Sequence, residues 1–207
     1  MDKKFEMTSE IVEIDGHQLY RIRALRDFLD VQAGEFGGFV ESEANLSHDG
    51  TAWIRDDACV WQNAVVSGDA LVCYQARISG NALVSGEAVV SAKARICDNA
   101  RVSGRAEISE NAEISDTAVV TDEARVLGAA KVGGQAQVIQ RAIVAGNATI
   151  DGEAAVSEDA IVIGHAQVYS NARIGGRLIV SGDAIVPGSI SAILQRPPAR
   201  PPTGPSP

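Results

Sequence analysis

The residues of this 207-residue chain that could do chemistry are few: three histidines, three cysteines and a scatter of carboxylates. His165, in the stretch IVIGHAQV, follows a glycine and has the basicity a general base needs to take a proton from an amine or hydroxyl nucleophile. A plain solvated corner is the simpler reading of the same slot, because its equivalents include Asn63, Asp69, Asn81, Asn99, Asn111 and Asn171. A zinc site of the three-histidine type needs two histidines close together on one chain. His17, His48 and His165 are far apart, so no metal site is expected. His48, in NLSHDGTAW, is expected to cap the loop leading into the repeats or to contact Asp49. Cys59, Cys73 and Cys97 show no Cys-x-x-Cys or Cys/His spacing, and their odd number does not make a disulfide framework. Free thiols in a reducing cytoplasm are the expectation. No Ser/His/Asp constellation and no phosphate-cradling glycine loop is present.

Whatever positions these groups is built from a repeat of six. Alanine recurs at every sixth position from Ala52 to Ala172, Leu178 interrupts, and Ala184 resumes. Two residues after each alanine slot stands Val or Ile, from Ile54 and Val60 through Val180 and Val186. A period of six is neither helical nor an indefinite alternation; it marks a short strand and a turn, one side of a coil. The β-branched slot suits an inward position on a pleated strand, and alanine suits a corner where a larger side chain would crowd the axis. Gly68, Gly80, Gly86, Gly104, Gly128, Gly146 and Gly164 take the turn itself, with Asp56, Asp98, Asp116 and Asp122 as substitutes tolerant of the left-handed region. Three hexads make a three-sided coil, so equivalent faces recur every eighteen residues. The chain is expected to be all-β, a parallel β-helix of roughly eight triangular coils and about 37 Å in length.

The ends must cover strand edges that would otherwise template aggregation. Residues 1–45 read as an N-terminal cap, 46–190 as the β-helix, and 191–207 as a C-terminal segment ending in a disordered proline-rich tail. Within the cap, Ile11–Ile14, Asp15-Gly16 and Gln18–Ile22 predict a β-hairpin, and Gly34, Gly37 and Gly38 mark a loop into the first coil. Trp53 and Trp61 are expected to pack against that hairpin. Ile190, Ile193 and Leu194 are expected to cover the last coil, and the PxxP strings beyond them give only a weak signal for docking to a proline-binding module. Hydrophobic residues make up 45% of the chain but aromatics only 4%, so the core must be small and β-branched. A net charge of -9 argues against nucleic acid and anionic membranes as partners, and the interspersed Arg and Lys argue against mimicry of DNA. No apolar run reaches signal-peptide or membrane-span length.

The stretch HQLYRIRALRDFLDVQAGEFGGFVESEANLSHDGTAWIRDDA, followed by alanine-valine hexads, resembles the YdcK-like hexapeptide-repeat proteins of bacteria and their prophages. The resemblance covers nearly the whole chain except the proline tail, is most specific between His17 and Ala58, and implies a left-handed β-helix with an N-terminal cap. Many enzymes with such a helix transfer acyl groups from acetyl-CoA or another acyl-CoA in a cleft between trimer subunits, with a histidine as base. That gives one functional expectation, with His165 as the base; the protruding loop and helical C-terminal domain that build such sites have no counterpart here. A zinc carbonic anhydrase shares the fold but fails on histidine spacing. An ice-binding face would need ranks of threonine, and the column Ser67, Ser85, Ser103, Thr121 and Ser157 is mostly serine. The other expectation, which the uninterrupted hexads favour, is a non-catalytic scaffold without a cofactor, binding a protein partner and itself. Its homo-oligomeric face would carry Ile143, Ile161 and Ile179 in one column beside Leu127, Ala145 and Ile163, with a trimer expected by analogy. The neighbouring face reads Arg77, Arg95, Glu113, Lys131, Thr149 and Gln167, an ordinary solvated surface.

Overall fold

Each hexad folds as one short strand that lies parallel to the strand of the hexad eighteen residues away. In a computed structural model that describes residues 3–188, Val90 is in register with Val72 on one side and Ile108 on the other. These strands run from Trp53–Ile54 to Ile185–Pro187 and, with three strands of the cap, form three sheets, of 11, 8 and 7 strands. The expected triangular solenoid of about eight turns is what forms. Every alanine slot from Ala52 to Ala172 and every Val/Ile slot from Ile54 to Ile174 is buried, as the need for small and β-branched side chains around a narrow axis requires. Inter-coil backbone bonds, such as Leu71 N–H to Ala88 O at 2.9 Å and Val89 N–H to Ala106 O at 2.9 Å, satisfy the main chain along each face.

The corners repeat as strictly. The third residue after each alanine slot's strand begins takes a positive φ, including Asp56, Asp98, Asp116 and Asp122, as expected. Several non-glycine residues here gain something that offsets the left-handed strain. Asp116 accepts the Gly134 amide at 2.9 Å, Asp122 the Gln140 amide at 2.9 Å, and Gln140 the Glu158 amide at 2.7 Å. Each side chain thus caps the same corner one coil further on.

The cap extends one of the three faces. Strand β1 (Phe5–Ile14) and strand β2 (His17–Ala24) form an antiparallel hairpin, longer than the sequence pattern indicates. Asp15 at φ 52° and Gly16 at φ 81° give the twist-matched turn that Asp-Gly favours. Strand β3 (Phe36–Val40) pairs antiparallel with β2 and parallel with Cys59–Val60, so the hairpin, β3 and the coils form the 11-stranded sheet, here called the cap face. Gly37 and Gly38 are therefore in a strand rather than a loop. Their reason is proximity: a Cβ on Gly37 would stand 2.6 Å from Ile54 O, and one on Gly38 2.5 Å from Ala58 O.

Aromatic rings and one ammonium group plug the first coil. Trp53 packs edge-on against Phe28 at 5.3 Å and Phe5 at 6.4 Å, while Trp61 is buried with Leu19, Phe39 and Cys59, so both tryptophans anchor the cap. Lys4 is buried, donates to Ala52 O at 2.8 Å and lies 5.6 Å from the Phe28 ring centre. The expected cover by Ile190, Ile193 and Leu194, and the proline tail, lie outside the described residues.

Burial, with a contribution from Arg26 and against the pull of Asp49 and Asp69, lowers the Lys4 pKa from 10.5 to about 8. Between those values the unfolded chain holds the proton and the folded chain does not, so this group makes stability rise with pH across the window. The buried Cys59 thiol, pushed up to about 11, opposes it above pH 9.0. Denaturant melts of wild type and Lys4→Met from pH 7 to 10.5 are expected to show the wild type gaining stability relative to the variant; parallel curves would remove the buried-ammonium account.

Candidate functional site

His165 stands at an exposed corner, as its slot suggests, and its amide donates to Gly182 O at 2.8 Å. The positions stacked on it in neighbouring coils are Asn147 and Asp183, one coil away on either side. Its ring makes no hydrogen bond among the described residues. The histidine that is oriented by a carboxylate is His17, whose Nδ1 lies 2.9 Å from Glu41 Oε1. That contact, together with the Gln62 amide at 2.6 Å, holds the Glu41 carboxyl below its ordinary range. The pair borders a shallow depression with Ser42, Asn63 and Asn81, whose amides continue as a ladder to Asn99 at 3.0 Å per step. His48 accepts the Lys4 amide at 3.2 Å and stacks on Phe5 at 4.5 Å, tying down the start of β1. The three histidines thus occupy three separate places, and no group of three metal-ligating side chains exists among the described residues.

The 8-stranded sheet carries the isoleucine column in the register expected. Ile143 pairs with Ile161 and Ile161 with Ile179. Ile179 is 64% exposed and Ile163 37%, while Leu127, Ile143 and Ile161 are partly shielded by stacking. Toward the cap the column is interrupted by Arg125, bonded to Glu107 at 2.8 Å, and is apolar again at Val89, Leu71 and Trp53.

The column from Arg77 to Gln167 is not uniformly a solvated surface. Glu113 and Lys131 pair at 3.4 Å in its middle, but the part nearest the cap lies beneath the hairpin. There β1 overhangs the cap face and encloses a cleft of about 660 Å³, with Ile11, Val12 and Ile14 on one wall and Cys59, Arg77 and Arg95 on the floor. Arg21 spans its edge, bonded to Glu10 at 2.8 Å and to Gly37 O at 2.9 Å, and lies 4.5 Å from the centre of the Phe39 ring. Sequence reading missed this cleft because it depends on how the hairpin tilts. The available signal was two arginines eighteen residues apart.

The YdcK β-solenoid repeat family matches the chain twice, over residues 76–92 and 94–110, each match just short of one eighteen-residue coil. A protein of Escherichia coli (strain K12) named "uncharacterized acetyltransferase YdcK" is 39% identical over 69 residues, which span 33% of this chain and 20% of that relative. Over residues 76–92 and 94–110 the chain carries YdcK-like β-solenoid repeats. The match covers about a fifth of that relative's length. The YdcK-like repeats here include Arg77 and Arg95 of the cleft floor.

The thiols of this chain are free, and they sit in different columns. Burial pushes Cys59 up to about 11 and raises Cys73; burial and then the neighbouring Asp98 push Cys97 up to about 12. Thiols so protonated are poor nucleophiles at neutral pH. At pH 8 the native protein is expected to react with Ellman's reagent at least about tenfold more slowly than the denatured chain; a fast-reacting native thiol would overturn the protonated assignment.

Proposed function

We propose that this protein is a non-catalytic scaffold that binds protein partners and associates with its own copies through the isoleucine face. The observation supporting it is the straight column of Ile143, Ile161 and Ile179, flanked by Leu127 and Ile163, where the matching column of the cap face stacks Arg77, Arg95, Glu113, Lys131, Thr149 and Gln167. An apolar strip of this kind presents roughly 400 Å², the scale at which an exposed patch serves an interface. The occupant is a second copy of the chain, because a column parallel to the axis meets the same column of another rod along its whole length. A closed trimer is the form proposed, each subunit offering this face to the others, in a reducing cytoplasm that suits the free thiols.

Light scattering tests the reading directly. The wild type is expected to be an oligomer and Ile161→Glu a monomer, since a carboxylate buried at a dry interface costs on the order of several kcal/mol. A monomeric wild type, or an oligomer that tolerates the glutamate, would sink it.

A second reading, transfer of an acyl group from acetyl-CoA or another acyl-CoA with His165 as base in an intersubunit cleft, draws on the relative's printed name and the exposed His165. Against it stands the lack of any described group orienting that ring. Purified protein is expected to acetylate no common amine or sugar acceptor. Saturable acetyl-CoA binding that is lost in His165→Ala would displace the scaffold reading.

A further inference from the structure

Many charges on this solenoid are paired across coils, although Asp98 and Asp116, like Asp69 and Glu87, stack acid on acid. Residues eighteen apart are neighbours, and acids meet bases there: Glu107 with Arg125 at 2.8 Å, Glu113 with Lys131 at 3.4 Å, Asp159 with Arg141 at 2.7 Å, and Glu123 with Arg105. Arg77 and Arg95 depart from that pairing. They are direct partners in adjacent parallel strands, and neither forms an ion pair among the described residues; Arg95 has Glu113 in register on its other side, but that carboxylate lies 3.4 Å from Lys131. Like charges placed opposite each other destabilise a sheet. Lys93, on the adjoining corner, is likewise without an ion pair among the described residues, in a chain whose net charge is -9.

All three cations line the cleft under β1. Its two carboxylates, Glu10 and Asp57, lie 2.8 Å and 3.8 Å from Arg21 and are directed to it. Arg77, Arg95 and Lys93 are left without an ion pair among the described residues. Facing them is an apolar wall on which Ile11 is 48% exposed. At about 660 Å³ the cleft has the size of a small-molecule site rather than a groove for a folded partner.

We infer that this cleft binds a small organic dianion, a phosphate monoester whose head is gripped by Arg77, Arg95 and Lys93 and whose apolar body lies against Ile11 and Val12. Guanidinium groups match phosphate oxygens in pairs, and a dianion neutralises the repulsion the arginine pair otherwise carries. The site lies on a different face from the isoleucine column, so it stands or falls independently of self-association.

Phenyl phosphate, titrated into isotope-labelled full-length protein at low salt and followed by amide chemical shifts, tests it. Saturable shifts are expected at Val12, Phe39, Cys59 and Gln75. Phenol, benzoate and inorganic phosphate are each expected to bind at least about tenfold more weakly, since each lacks the apolar body, the second charge or the whole head. Arg77→Gln combined with Arg95→Gln is expected to weaken phenyl phosphate at least about tenfold, whereas Arg125→Gln on the isoleucine face leaves it unchanged. The double variant is expected to melt no lower than the wild type, because it removes a repulsion. Absence of saturable shifts, wild-type affinity in the double variant, or tighter binding of a glutamate-rich peptide than of phenyl phosphate would each overturn the assignment.

Discussion

Parallel backbone hydrogen bonds hold each coil to the next in a register of eighteen residues, and nearly everything else in this protein is a consequence of that spacing. A main-chain N–H of one coil finds a carbonyl of the next at 2.5–3.1 Å around all three faces. The bond pattern leaves no freedom to slip by one residue, because such a slip would turn the buried valines outward and the polar residues toward the axis. Alanine at the corner and a β-branched residue on the strand are then the side chains that fill a core only one residue deep per side. Outside, the same register turns the surface into columns, in which each side chain's neighbours are the residues eighteen before and eighteen after. Amide ladders, carboxylate caps on left-handed corners and acid–base pairs are three chemistries using one geometry.

A stack held only by its own ladder has two open ends, and the N-terminal end shows how one is closed. The hairpin and β3 continue a face rather than sit on it, so the cap is joined to the coils by the same main-chain bonds that join coils to each other. What fills the coil's mouth is different in kind. Trp53, Phe5 and Phe28 supply bulk that a valine-alanine interior lacks, and Lys4 satisfies the Ala52 carbonyl at the cost of burying an ammonium group. The overhang of β1 that results from this attachment is also what creates the cleft over Arg77 and Arg95.

Local periodicity made the coils legible in the sequence. The hexads, the corner aspartates, the Asp15-Gly16 turn and the alignment of Ile143, Ile161 and Ile179 follow from residue spacing alone, because in a solenoid sequence distance maps onto space by a fixed rule. The rule fails where the chain leaves the solenoid. Gly37 and Gly38 read as a loop because a glycine chosen for close approach and one chosen for a turn look alike in sequence. The His17–Glu41 pair and the Lys4–Ala52 bond span 24 and 48 residues across strands of different direction, and no period announces them. His165 was singled out by residue type, while the better oriented imidazole lay in the cap.

The eighteen-residue register also quantises the lengths this chain can take. Removing one whole coil would shorten the rod by a single strand spacing and leave every surviving column aligned, apart from the two rows newly brought together. Removing one hexad would preserve the buried core equally well, since each hexad offers the same inward pair. It would, however, rotate everything beyond the cut by a third of a turn, carrying the isoleucines onto another face. The core is indifferent to which hexad it receives; the surface is not, so the outward columns count coils in a way the interior cannot.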